Sequence, residues 1–510
     1  MNRSMCKIKK WMAAGIAAVM LLSGLMPPDT ARALTIREEE ELSQEFLKAV
    51  FDAYDVIRDP VINDYINTVG QKLISAMPPQ PFDYKFYAVR QDAYNAFAGP
   101  GGNIFVFSGL FNALENEDEL AALLAHEIAH VSCRHISEMM KKSKTTSMAT
   151  MAGVVAGILI GLGGAGTVGS ALTIGSMAAG QSMALAYSRE HEMQADQIGR
   201  TYLQKAGYSL HGLLSILKKI RSVDWFNTDE IPTYLRTHPA TEERILYLDN
   251  LLENQDAPPP QINDAFSKAH TRMMALYGDA DTALRRFKIQ VEKNPDNAMA
   301  RYGYGLALIR AGNLKAARDQ LAIAREKKPD DPDFAIDYGI ACFQAGGYAE
   351  ALDIFENAAP SAANARIAKM YLGRTFLALD RNEAAAGIFA AIIHDDPENA
   401  DAYFYLGKAE GKMDNLASAH YNLGQSDLKN KNPQNAKFHF TKALEYEKDP
   451  ARIEKIRQLL KDMEKPRRFF GRDDTRIHKP IKKRSLPADP NGIRSDSALC
   501  RSEYVKKYFR

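Results

Sequence analysis

A chain of 510 residues, 46% hydrophobic and 25% charged, is long enough for roughly two to four globular domains, each burying its own core. Its 65 Lys and Arg stand against 63 Asp and Glu, and so near a balance denies nucleic-acid binding any global electrostatic support. Of the four cysteines, Cys6 precedes a leader-like apolar run, and the remaining Cys133, Cys342 and Cys500 allow one disulfide at most, which excludes a disulfide framework.

In chain order, Lys7, Lys9 and Lys10 precede an apolar run from about Met12 to Met26 and then Ala31-Arg32-Ala33, the three parts of a secretory signal. Residues 1–33 are expected to be removed by cleavage after Ala33. The competing reading, an uncleaved anchor, suffers because the run falls short of the ~20 residues that span a bilayer. Residues 34–255 mix helical periodicity with one strand-like stretch, Asn103–Phe107, introduced by Gly99-Pro100-Gly101-Gly102. Within them, 145–188 carries no charged residue and is dense in Gly and Ala. Glycines weaken a lone helix, so this stretch is expected to be a lid or membrane-surface hairpin rather than a span.

Asp256-Ala257-Pro258-Pro259-Pro260 cannot continue a helix, and 256–264 is read as a linker. Beyond it, Gly305, Gly339, Gly373 and Gly407 recur every 34 residues, each followed twelve residues later by Ala317, Ala351, Ala385 or Ala419. Pro295, Pro329 and Pro397 keep the register. That is the tetratricopeptide signature, in which small residues let paired helices approach and stacking buries faces that no single pair can cover. Ala283 marks a degenerate unit beginning near 265, and Gly424 with Ala436 marks another, out of register, so 265–462 is expected to be an α-solenoid. Residues 463–510 are read as a disordered basic tail, for which attraction to anionic lipid is one role and a solvated tail the plain alternative.

The chemistry is concentrated in Leu123-Leu124-Ala125-His126-Glu127-Ile128-Ala129-His130-Val131. Positions i and i+4 of a helix share a face, so His126 and His130 can present nitrogens to one zinc ion, with Glu127 beside it as general base. Zinc lowers the pKa of a bound water to about 7, within reach of a neighbouring carboxylate. Two histidines and a glutamate on an otherwise apolar helix would be costly to bury without such a partner. A third protein ligand is required, and Ser188-Arg189-Glu190-His191-Glu192-Met193-Gln194-Ala195-Asp196 offers Glu190, His191 and Glu192. Glu192 and Asp196 are four apart, so one can bind metal while the other orients a ligand histidine; Glu190 reads better as a solvated helix face. His135 and Cys133 read as packing residues.

These residues resemble a known family. HExxH followed by Glu192 and Asp196 in Glu-x-x-x-Asp is similar to the family of the membrane peptidase HtpX and the CAAX prenyl protease, and the export signal and repeats bring it nearest to the BepA-like periplasmic peptidases. The resemblance implies a mainly α protein, a zincin-like metallopeptidase domain with a small β-sheet followed by the solenoid, holding one zinc ion. It implies Glu192 as third zinc ligand and Asp196 as a catalytic-site acid. Asn95-Ala96-Phe97-Ala98-Gly99-Pro100-Gly101-Gly102-Asn103-Ile104 is similar to the family's strand beside the cleft. A peptide could add to its free edge, which makes Asn95, Phe97, Gly102, Asn103 and Ile104 candidate substrate-binding residues. In Thr237-His238-Pro239-Ala240-Thr241-Glu242-Glu243-Arg244-Ile245, the resemblance makes His238 a fourth ligand that holds the enzyme latent. The plain reading is a helix N-cap at Thr241 with Glu243 or Arg244 on its surface.

The expected function is a periplasmic zinc endopeptidase degrading misfolded or stalled outer-membrane β-barrel proteins, its repeats docking the barrel assembly machinery or the client, with peripheral membrane contact and no nucleic acid. The competing reading is a chaperone or scaffold that works through its repeats while the metal site stays latent.

Overall fold

The computed structural model describes residues 34–141, 187–226, 233–239, 241–253 and 263–464. The expected leader, nearly all of the 145–188 segment, the prolines of the linker and the basic tail from 465 onward lie outside the described residues. Among those described, no helix is long and apolar enough to cross a membrane.

The N-terminal part opens with α1 (Ile36–Ala53) and α2 (Pro60–Ser75) and continues into a three-stranded sheet of β1 (Lys85–Val89), β2 (Ala96–Ala98) and β3 (Asn103–Phe107). The strand order is β1-β3-β2, with β3 parallel to β1 and antiparallel to β2. Alternation along the strands divides the side chains between two layers. Phe97, Phe105 and Phe107 pack with Leu42, Phe46 and Val50 of α1, while Ala96, Ala98, Ile104 and Val106 face the core built on the helices that follow. β2 and β3 are joined by a tight turn, Pro100–Gly102, in which Gly101 and Gly102 have φ of 71° and 85°. Those angles belong to the left-handed region that glycine enters without penalty.

After α3 (Ser108–Ala113) comes the central helix α4 (Glu117–Ser132), then α5 (His135–Lys141), α6 (Arg189–Lys205), α7 (His211–Phe226), α8 (Thr233–Thr237) and α9 (Thr241–Leu252). Asn116 caps α4 by accepting the Glu119 N–H at 3.0 Å, and Glu117, Asp118 and Glu119 occupy its first turn, where negative charge meets the positive helix end. From Asp118 to Val131 every residue of α4 is buried. An all-round buried helix is a core element, so its few polar side chains depend on partners inside the protein.

The repeat part begins with α10 (Asp264–Arg272), which runs into a π turn at Met273–Tyr277, and α11 (Ala280–Lys293). It proceeds through the pairs α12 (Ala298–Arg310) and α13 (Leu314–Lys327), α14 (Pro332–Gln344) and α15 (Tyr348–Glu356), α16 (Ala365–Ala378) and α17 (Asn382–Asp395), α18 (Ala400–Lys412) and α19 (Leu416–Lys429), then α20 (Pro433–Tyr446) and α21 (Pro450–Glu464). The four glycines in register sit on the first helix of each pair at the crossing point. A Cβ at Gly305 would meet Leu321 Cγ at 2.5 Å, and one at Gly373 would meet Phe389 Cζ at 2.7 Å. The out-of-register Gly424 has a physical reason. It lies on α19, the second helix of its pair, and approaches Phe440 of α20, whose Cε1 a Cβ would meet at 2.7 Å. α19 therefore serves two crossings, one through Ala419 to α18 and one through Gly424 to α20.

A buried guanidinium ties the repeats to the N-terminal part. Arg272 donates through Nε and Nη2 to Asp59 at 2.6–3.1 Å and through Nη1 to Asp337 and, at 2.5 Å, to Tyr302 Oη. Fully buried aromatic side chains fill the helix crossings of the solenoid, among them Phe389 at 0% exposure. Phe389→Ala is expected to destabilise the repeats by about 3–5 kcal/mol, measured as a lowered midpoint in urea denaturation of the full chain.

Candidate metal centre

The residues of the centre come from four elements. His126, Glu127 and His130 lie in the C-terminal half of α4, Glu192 and Asp196 on the buried face of α6, His238 just after α8, and Arg244 on α9. The close approach of α6 to α4 is set by Gly199, where a Cβ would meet Ala125 O at 3.0 Å and His126 N at 3.3 Å. Any larger side chain would lift Glu192 and Asp196 away from the histidines.

His126, His130, Glu192 and His238 each offer a ligating atom, and all of these lie within 4.8 Å of one another. His126 Nε2 is 3.0 Å from His130 Nε2, 3.3 Å from His238 Nδ1 and 3.4 Å from Glu192 Oε2. Glu192 Oε1 is 3.3 Å from His130 Nε2 and 3.1 Å from His238 Nδ1. A tetrahedral shell at about 2.0–2.1 Å from a zinc ion places its ligands about 3.3 Å apart. The donor set and its spacing therefore fit such an ion.

The rear nitrogens of the two α4 histidines are engaged. Asp196 Oδ1 sits 2.9 Å from His126 Nδ1, and His135 Nδ1 sits 2.9 Å from His130 Nδ1, while His135 Nε2 reaches Gln194 Oε1 at 3.0 Å. Partners of this kind fix a ligand's tautomer and ring orientation. His135, expected to be a packing residue, thus belongs to the polar network behind the centre. Cys133 ends α4 and is half-buried. Glu190 is exposed, and the fully stacked His191 faces His135 with ring centroids 4.3 Å apart.

Arg244 corrects the reading that placed it on a helix surface. It is 0% exposed and donates to Asp196 from Nε and Nη2 at 2.7 and 2.8 Å and to Glu192 from Nη1 at 2.6 Å. The phase of α9 carried the signal: Arg244, Leu248 and Leu252 follow one another at i, i+4 and i+8, and all are buried. Sequence reasoning passed over it because two adjoining glutamates made the turn look solvated.

The electrostatics follow from these contacts. Burial pushes the Glu192 and Asp196 carboxyls up, but for Glu192 the charges of His238 and Arg244, and for Asp196 that of Arg244, outweigh it and hold both below the usual carboxylate range. Burial and Arg244 push the His126 imidazolium down, yet the bonds to Asp196 and Glu192 raise its pKa to about 9. His130 is pushed well below its ordinary value by burial. Burial raises Glu127, whose two carboxylate oxygens have no hydrogen-bond partner among the described residues. His238 Nε2 lies 3.6 Å from Glu127 Oε1.

The candidate substrate residues fall on β2, the turn after it and β3. Asn103 and Ile104 lie on β3, which is paired on both sides, and the Asn103 side chain is spent on Ser43 Oγ and Pro100 O at 2.8 Å. Gly102 belongs to the turn. β2 is one of the two edge strands of the sheet, with Asn95 just before it. The Phe97 side chain packs on Phe105, centroids 4.9 Å apart, so only its main chain faces that edge. Asn95 is fully buried with both side-chain polar atoms unpartnered among the described residues, and Tyr94 O accepts the Tyr234 N–H at 3.1 Å, tying this strand to the segment that carries His238.

Comparison with known proteins agrees with this geometry. Residues 60–252 match the model of peptidase family M48, and 278–332, 308–367 and 370–411 match a tetratricopeptide repeat model. The chain is similar to the beta-barrel assembly-enhancing protease of Yersinia pestis, 28% identical over 56% of this chain and 60% of that protein. It is similar to the protein of the same name from Escherichia coli K12, 24% identical over 80% of this chain and 87% of that one. The mitochondrial metalloendopeptidase OMA1 of Schizosaccharomyces pombe is 24% identical over 42% of this chain and 61% of its own length.

Because a metal ion must displace the proton held on His126, apparent metal affinity is expected to rise about tenfold per pH unit up to about pH 9 and then flatten. Competition with a chelator of known affinity, followed from pH 6 upward, checks this. Arg244→Met, which leaves two buried carboxylates with only the His126 proton to share, is expected to cost about 3–5 kcal/mol in chemical denaturation of the metal-free protein.

Proposed function

We propose that this chain, a metalloendopeptidase with an M48 domain ahead of tetratricopeptide repeats, is a zinc-dependent enzyme of the cell envelope that cleaves misfolded or stalled outer-membrane proteins. The observation that carries the zinc chemistry is the convergence of His126, His130 and Glu192 at 3.3–3.4 Å or closer with an unbonded Glu127 carboxylate beside them. The names of the bacterial relatives support the substrate class. In this reading the repeats dock the client or the barrel assembly machinery.

His126, His130 and Glu192 would hold the ion, and Asp196 and His135 would keep the two imidazoles turned toward it. Zinc, when bound, supplies a Lewis acid that polarises a peptide carbonyl and acidifies a water. Glu127, whose carboxylate has no other hydrogen-bond partner among the described residues, takes the proton of the attacking water and passes it to the leaving amine. The β2 edge receives an extended peptide through main-chain hydrogen bonds.

A latent state is favoured by one specific observation, the position of His238 Nδ1 at 3.3 Å from His126 Nε2 and 3.1 Å from Glu192 Oε1. With His238 as fourth ligand, no position is left for water. The alternative function, a chaperone or scaffold acting through its repeats, would use this latent form permanently.

Glu127→Gln separates the readings. Turnover of quenched-fluorescent unfolded casein is expected to fall by about 10²–10⁴-fold with metal content unchanged, whereas His130→Ala should lower metal content as well. His238→Ala is expected to raise turnover. Equal turnover in Glu127→Gln and the parent chain contradicts the enzymatic reading.

A further inference from the structure

Four side-chain polar atoms around the centre are buried without a hydrogen-bond partner among the described residues: both oxygens of Glu127, Nε2 of His238, and the hydroxyl of Tyr187. Glu127 acts as base and His238 as a ligand; the Tyr187 hydroxyl is left without a part.

Tyr187 is 3% exposed. Its ring lies on that of His130, centroids 3.8 Å apart and tilted by 32°, and 5.3 Å from the His238 ring. Its main-chain N–H donates to Thr237 O at 3.3 Å, so its backbone is pinned beside the His238 segment. The ring alone would serve packing against His130, and phenylalanine would supply that ring without the penalty of a buried hydroxyl left unpaired. The Tyr187 phenolic O–H is a donor that no described residue uses.

We propose that Tyr187 is a catalytic residue whose hydroxyl donates a hydrogen bond to the oxygen of the scissile carbonyl as negative charge develops there. The proposal rests on the endopeptidase reading with Glu127 as base. Water oxygen forms a bond to the carbonyl carbon, the π pair moves onto the carbonyl oxygen, and the water proton goes to Glu127. Tyr187 stabilises that oxygen without surrendering its own proton. When the carbonyl re-forms, the C–N bond breaks and the Glu127 proton goes to the departing amine. A donor aimed where charge appears only in the transition state raises kcat rather than ground-state affinity.

Tyr187→Phe tests this, because it keeps the ring and removes only the hydroxyl. kcat on the casein probe is expected to fall about 10²–10³-fold, with KM and metal content unchanged and the melting temperature equal or higher, since an unpaired buried group has gone. A phosphinic pseudopeptide, which carries tetrahedral oxygens in place of the scissile amide, should bind Tyr187→Phe more weakly by at least about tenfold. Calorimetry reads that binding whether or not the chain turns substrate over. Unchanged kcat together with unchanged pseudopeptide affinity would overturn the proposal, as would a loss of kcat accompanied by lost metal or a lowered melting temperature. If the parent chain hydrolyses nothing while pseudopeptide binding still depends on the Tyr187 hydroxyl, the endopeptidase reading fails and the donor assignment stands.

Discussion

The structure depends on how a helix buried on all sides carries ionisable groups. α4 brings His126, Glu127 and His130 into the core, and α6 brings Glu192 and Asp196 against them. Unpaired charges in such a place cost several kcal/mol each. Arg244 supplies the one permanent positive charge, forked between Glu192 and Asp196. His126 supplies a second as long as it keeps a proton. A divalent cation at the same spot would replace that proton and satisfy the nitrogens that now face one another. Gly199 sets the helix spacing that makes this balance geometrically attainable.

Much of the centre was legible in the sequence because its main parts are local. His126 and His130 are one helical turn apart, as are Glu192 and Asp196, and helical periodicity alone places each pair on one face. The meeting of the two pairs was not derivable from spacing, which left Glu190 and His191 open beside Glu192; the family resemblance narrowed it. Arg244, His135 and Tyr187 were missed for a different reason. Their roles are set by tertiary contacts, Arg244 reaching a histidine 118 positions earlier in the chain, and only the apolar phase of α9 gave any local hint. The candidate substrate residues, Asn95 to Ile104, fall on β2, the turn and the start of β3, because a run such as Asn103–Phe107 reads as a strand whether it lies at an edge or in the middle.

The solenoid was legible through glycines in register, since each marks a place where a side chain would collide with the partner helix. The register breaks at Gly424, where one helix makes two crossings, and a fixed period cannot express that. At the other end, Arg272 joins α10 to Asp59 of the N-terminal part and Asp337 of the solenoid. A client held by the repeats would thus be held by an element bonded into the module that carries the metal centre. The same economy appears at the centre, where the His238 segment is bonded to Tyr94 before β2 and to Tyr187 before α6. Movement of His238 therefore has a mechanical route to both the β2 edge and Tyr187.

X-ray absorption at the zinc edge of the metal-loaded full chain examines the buried cage most directly. A first shell of four nitrogen and oxygen scatterers at about 2.0–2.1 Å, with the outer-shell pattern of three imidazoles that loses one imidazole in His238→Ala, is the result expected from this geometry. A shell containing sulfur, or one with a single imidazole, would mean that His126, His130 and Glu192 do not meet on one ion, and the hydrolytic centre would be elsewhere or absent.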